Sequence, residues 1–125
     1  MVKSTLLAAA GALLLAMPAL AADVNGEIVN AQEHAEYAAA ATDLNTAHAH
    51  LHHALNCLVG PNGTGFDAKQ MNPCANSGNG IIPDTTDAAK KKTFQAAADK
   101  AMAGIAETDL AKTKTIAGEI ATMLK

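Results

Sequence analysis

The sequence predicts an all-α protein, an up-down four-helix bundle made of two helical hairpins with a long, disulfide-stapled crossover loop. Alanine-rich segments carry apolar residues at alternating spacings of three and four, which is the period of an amphipathic helix. The tetrapeptide ATDL at 41–44 returns as ETDL at 107–110, with helix-forming segments around each copy, which indicates repeated hairpins. Residues 60–86, between the two hairpins, are rich in glycine and proline, which excludes long regular structure there. We expect helices over about 25–41, 44–59, 86–105 and 109–124, with a loop at 60–85.

The first 22 residues are typical of a cleaved secretory signal peptide. Lys3 supplies a charged start, an apolar run follows, and small residues end the segment at a cleavage point after Ala21 or Ala22. The apolar run is shorter than the roughly 20 residues that a membrane span needs. We therefore expect a periplasmic or secreted protein that is not membrane-anchored after cleavage, with residues 23–125 forming a single helical domain.

Each predicted helix has its own apolar stripe. The first hairpin carries Val24, Ile28, Ala31, Ala35 and Ala38 on one helix, and Leu44, Leu51, Leu55 and Leu58 on the next. The second hairpin carries Phe94, Ala98, Ala101 and Ile105, then Ala117, Ile120 and Leu124. Alanine favours helix and fills little volume, so these helices are expected to pack closely.

The two cysteines predict a disulfide that ties down the crossover loop. Cys57 ends the second helix and Cys74 lies in the glycine-rich segment. Paired cysteines are the usual state in exported proteins, and closing a loop of this size stabilises by roughly 3 kcal/mol. Two metal-binding thiols are the alternative.

The histidines are the residues that most indicate a functional site. Four of the five histidines, at positions 48, 50, 52 and 53, lie within six residues of the second predicted helix. If residues 42–43 form a turn, His34 comes level with His52, and His48 lies one turn nearer the hairpin end. We therefore expect a site of His34, His48 and His52 for Cu(II), Zn(II) or Ni(II), since imidazole serves all three metals. A second, looser site would use His50 and His53. The alternative is that these histidines are ordinary core and surface residues.

Several other functions are disfavoured by composition and motifs. The net charge of −3 argues against nucleic-acid binding. The HExxH motif of metalloproteases and the CxxCH motif of c-type haem proteins are both missing, and the last predicted helix offers no histidine to a b-type haem. Serine occurs only at Ser4 and Ser77, one in the signal and one in the loop. We expect no haem and no enzymatic activity.

The segment HAEYAAAATDL at 34–44, followed by a histidine-bearing helix, resembles the small metal-binding proteins of the bacterial periplasm. The likeness covers mainly residues 31–58. It implies an exported, histidine-rich four-helix bundle that binds copper and other divalent metals reversibly. The third and fourth predicted helices carry no histidine, and the cysteine pair with its long loop departs from that pattern. A localised site is therefore expected, in place of histidines spread around the bundle.

The sequence favours non-catalytic binding or buffering of a divalent transition metal in the bacterial periplasm. Because the core is so rich in alanine, the chain could complete it by forming a homodimer. The alternative is a helical protein-interaction or stress-related, chaperone-like module of the envelope that binds no metal. An exposed apolar groove would favour that alternative, and stoichiometric metal uptake would weaken it.

Overall fold

The computed structural model describes residues 21–125, and the predicted signal peptide lies outside them except for its last two residues. The described chain is all-helical, which confirms the predicted fold class. Its helices are α1 (Val24–Ala40), α2 (Leu44–Val59), α3 (Ile81–Asp84), α4 (Ala88–Ala106) and α5 (Leu110–Met123). The four long helices start and end within two residues of the expected ranges. The short helix α3 is an addition, inside the segment expected to be a loop.

An aspartate caps the N-terminus of every long helix. The side chains of Asp23, Asp43, Asp87 and Asp109 each accept a hydrogen bond from the backbone N–H three residues later. Each cap satisfies an N–H group that the helix itself leaves unpaired, a contribution of about 1 kcal/mol. The repeated Thr-Asp-Leu thus has a direct structural meaning, because its aspartate starts the second helix of each hairpin.

The long helices contact one another in a ring that fits a helical bundle. Helix α1 packs against α2 and α5, and α4 packs against α2 and α5. The core is made of small residues on α1 and α4 and of leucines on α2. Its fully buried members include Ala31, Ala35, Ala38, Leu51, Leu58, Ala98, Ala101 and Ile120. Small side chains allow the helix backbones to approach closely. No helix in the described range is long and apolar enough to cross a membrane.

The segment between α2 and α3 is held to the bundle by two fully buried residues at the end of α2. Cys57 forms the predicted disulfide with Cys74, with Cα atoms 5.2 Å apart. Asn56 hydrogen-bonds the backbone at Asp67, Gln70 and Met71. The loop is therefore fixed by one covalent bond and one polar side chain, close to the last turn of α2.

Candidate metal centre

The histidines of α2 point in two directions from the helix. At about 100° per residue, His50 and His53 lie on the side that meets α1, while His48 and His52 lie on the opposite side of the leucine stripe. Ala47, His50, Ala54 and Cys57 follow one line along the helix at spacings of three, four and three. The alanines of this line are fully buried. Only a histidine close to this line can meet a residue of α1.

Three histidines from the two helices of the first hairpin form one cluster. His34 of α1 meets His50 and His53 of α2, and one ligand atom from each residue lies within 4.8 Å of the others. The Nδ1 atoms of His34 and His50 are 3.1 Å apart. The ring centroid of His53 lies 5.0 Å from that of His34 and 5.5 Å from that of His50. The cluster offers three imidazole nitrogens from two helices that also pack together.

The surroundings of the cluster favour the neutral form of two of its imidazoles, those of His34 and His53. Burial, together with the neighbouring histidines, lowers the pKa of His53 from 6.5 to about 4. Burial and the proximity of His50 also lower the pKa of His34. In addition, His53 Nδ1 is buried and has no hydrogen-bond partner. Neutral imidazole is the form that binds metal ions, so at neutral pH His53 has no proton to release first.

Tyr37 and Glu33 border the cluster on the exposed side of α1. The tyrosine ring makes edge contacts with His34 and His50, at centroid distances of 5.7 and 5.3 Å. Its hydroxyl donates a hydrogen bond to Glu33, and this bond raises the pKa of the phenol. Tyr37 is 46% exposed, so the cluster opens to solvent beside it.

The structure groups His34 with His50 and His53, whereas the sequence analysis grouped it with His48 and His52 and placed His50 and His53 in a second site. His48 Nε2 lies 2.9 Å from the backbone oxygen of Glu107, at the connection between α4 and α5. His52 Nδ1 lies 3.9 Å from a carboxylate oxygen of Asp67 in the crossover loop. His48 thus has a hydrogen-bond partner away from the cluster, whereas His52 Nδ1 is buried without one, on the side of α2 that faces away from α1.

The grouping seen in the structure could have been recognised from the alanines on α2. Spacing alone does not identify it, because His48 and His52 are four residues apart and so are His53 and Cys57. Ala47 and Ala54 are fully buried, and by helix geometry they lie on the same side of α2 as His50. His50 belongs to their line, and His53 lies next to it.

Comparison with protein-family models, with curated proteins and with solved structures gives no match.

Proposed function

We propose that this protein binds a divalent transition metal ion through His34, His50 and His53. The observation that carries the proposal is their convergence from two helices, with ligand atoms within 4.8 Å of one another. Three imidazoles suit Cu(II), Zn(II) and Ni(II). The site differs from the one expected from the sequence, although all three of its residues were among the candidates.

The size of the cluster is close to that of a three-histidine metal site. With metal–nitrogen bonds of about 2.0–2.1 Å, nitrogens in a tetrahedral site lie roughly 3.3 Å apart. His34 and His50 already approach that separation, at 3.1 Å. His53 supplies a ligand atom within 4.8 Å of the other two, so its ring would have to move closer to share the ion. Three protein ligands would leave a fourth position for water or another small ligand.

A role in reversible metal binding or buffering, without catalysis, fits this arrangement best. The cluster is only partly buried, so a metal ion can enter and leave without opening the core. We place the protein in the bacterial periplasm, a location supported by the signal-like first 22 residues and by a disulfide typical of oxidising compartments. The resemblance of residues 31–58 to small periplasmic metal-binding proteins supports the same role.

The bundle in this proposal has up-down connectivity. Three residues join α1 to α2, and three join α4 to α5, which suits antiparallel neighbours. In such a hairpin His34, six residues before the end of α1, lies level with His50, six residues after the start of α2. The connection therefore sets the level of the two histidines, and the helix faces bring their rings together.

Tyr37 provides a direct test. It is the single tyrosine of a chain without tryptophan, and its ring lies 5.3 Å from that of His50. Bound Cu(II) or Ni(II) is expected to quench its fluorescence in a saturable, one-to-one titration. Zn(II), which has a filled d shell, should compete with copper without quenching by itself.

Matched variants on the two sides of α2 make the test specific. His50→Ala and His53→Ala are expected to weaken copper binding at least tenfold, since each removes a ligand. His48→Ala and His52→Ala, on the same helix, should bind as the unmodified protein does. If the two pairs lose affinity equally, or if copper leaves the tyrosine emission unchanged, the proposed site is wrong.

A further inference from the structure

A second polar feature lies at the other end of α1, where Glu27 is fully buried in the first turns of the helix. Its Oε1 accepts a hydrogen bond of 3.0 Å from the backbone N–H of Gly80, at the end of the crossover loop. Its Oε2 is buried and has no hydrogen-bond partner. A buried carboxylate with an unpaired oxygen destabilises the folded state unless a positive charge compensates it.

Within residues 21–125, no basic side chain pairs with Glu27 to supply that charge. The two close contacts between basic and acidic side chains there join His52 to Asp67 and Lys100 to Glu119. The charged groups that face Glu27 are instead the carboxylates of Asp84 and Asp23. Burial and these two like charges raise the pKa of Glu27, against the opposing effect of the Gly80 N–H. Protonation of Glu27 would remove its charge, but the hydroxyl at Oε2 would then be a buried donor without an acceptor.

The carboxylates of Glu27 and Asp84 approach the same side of Gly78. A Cβ atom at Gly78 would lie 2.9 Å from Glu27 Oε1 and closer still to Asp84 Oδ2. The same stretch of loop is joined to the start of α1, since the backbone N–H of Asp23 donates to the oxygen of Ser77 at 2.7 Å. Helix α1, the loop and α3 therefore meet where carboxylate oxygens of Glu27 and Asp84 lie close together, and the Asp84 oxygens also accept hydrogen bonds from the backbone N–H and side-chain amide of Asn79.

We propose that Glu27 and Asp84, with Asp23 at the edge, hold a calcium ion against the crossover loop. Calcium takes six to eight oxygen ligands in adaptable geometry, including carboxylates, backbone carbonyls and water. A glycine-rich loop exposes carbonyl groups without side chains in the way. The donors here are all oxygens, whereas the histidine cluster offers nitrogens, so the two sites prefer different metals.

Such an ion would reinforce the two hydrogen bonds that already join the loop to α1 and its cap, from the Gly80 N–H to Glu27 and from the Asp23 N–H to Ser77. It would neutralise the buried carboxylate and give Glu27 Oε2 a partner. The calcium-free protein would then carry an uncompensated charge at this point, and calcium would raise its stability in proportion to its occupancy.

Calorimetric titration of the chelator-treated, disulfide-bonded full chain with CaCl2 tests the proposal, followed by thermal unfolding with and without calcium. We expect one equivalent bound with a dissociation constant of about 1 mM or tighter, and a raised midpoint. Glu27→Gln, which keeps an oxygen for the Gly80 N–H, should weaken binding at least tenfold. It should also be more stable than the unmodified chain without calcium, because it removes the buried charge.

Two further variants control for general charge effects and for folding. Glu36→Gln removes one exposed negative charge from the same helix and should leave calcium binding unchanged. Asp84→Asn should weaken binding as Glu27→Gln does, although it alters a different element. The proposal is overturned if neither heat nor a midpoint shift appears at about 1 mM calcium, or if Glu27→Gln and Glu36→Gln bind calcium equally. A His50→Ala chain should bind calcium normally, so failure here is distinct from failure of the histidine site.

Discussion

Replacement of Asn56 by alanine should destabilise the protein more than any exposed change on the same helix. The side chain is fully buried near the end of α2. Its amide nitrogen donates to the backbone oxygens of Asp67, Gln70 and Met71, at 3.0, 3.3 and 3.1 Å. Its oxygen accepts from the Asp67 N–H at 2.9 Å. One side chain therefore replaces the backbone pairing that this irregular segment cannot make within itself.

The magnitude follows from these bonds. The amide has two hydrogens for three carbonyls, so the network amounts to roughly three full hydrogen bonds, each worth about 1 kcal/mol net. Water can reach the carbonyl of Met71, whose residue is exposed, but the removed amide also leaves a small void. We expect Asn56→Ala to lower the free energy of unfolding by about 3 kcal/mol, a large share of the 5–15 kcal/mol typical of a domain.

Urea unfolding followed by circular dichroism measures this loss. Asn45→Ala is the matched control, because Asn45 is exposed in the first turn of the same helix. It should change the free energy by less than about 0.5 kcal/mol. If Asn56→Ala costs under about 1 kcal/mol, water replaces the network and the disulfide alone holds the loop.

Two further predictions concern the disulfide and the pH dependence of stability. The double variant Cys57→Ser/Cys74→Ser opens a loop with a sequence separation of 17 and should lose about 3 kcal/mol in the same assay; an unchanged urea midpoint would contradict it. For His53, the pKa is about 4 in the folded protein against 6.5 in the unfolded chain. Between these values the unfolded chain binds the extra proton, so stability is complete above pH 6.5 and falls as the pH drops toward 4. After allowance for partial exposure we expect a loss of about 1 kcal/mol. His53→Ala should show a shallower decline in metal-free unfolding experiments at a series of pH values, and equal slopes would refute the assignment.

The helices could be predicted from the sequence because their signals are local. Alanine-rich stripes, an aspartate at each start and a glycine- and proline-rich interruption each act within a few residues. Asp43 and Asp109 show this directly, since both accept from the backbone N–H three residues on. The short helix α3 escaped prediction because four residues carry no periodicity, and the Gly80 N–H at its start pairs with Glu27, which is distant in sequence.

The sequence predicted that histidines would form the candidate site, but it did not predict which histidines would lie together. Adjacent positions on a helix differ by about 100°, so the choice between His50 and His52 as a partner of His34 depends on how α2 is rotated toward α1. That rotation is fixed by the connection at 41–43 and by core packing, and neither is a local property. The cysteine pair was easier to predict, because a chain with two cysteines offers one intramolecular pairing.

The same small residues that limit the hydrophobic core also make the histidine site possible. Ala31, Ala35 and Ala38 on α1 are fully buried, as are Ala47 and Ala54 on α2, and larger side chains in this interface would separate the two backbones. Close approach lets His34 and His50 meet at 3.1 Å without stretching either side chain. A metal held by both helices would in turn strengthen an interface that alanine burial stabilises only modestly, because an ion that binds only the folded state adds its binding free energy to folding. Metal binding and the stability of the first hairpin are therefore expected to be linked properties of one interface.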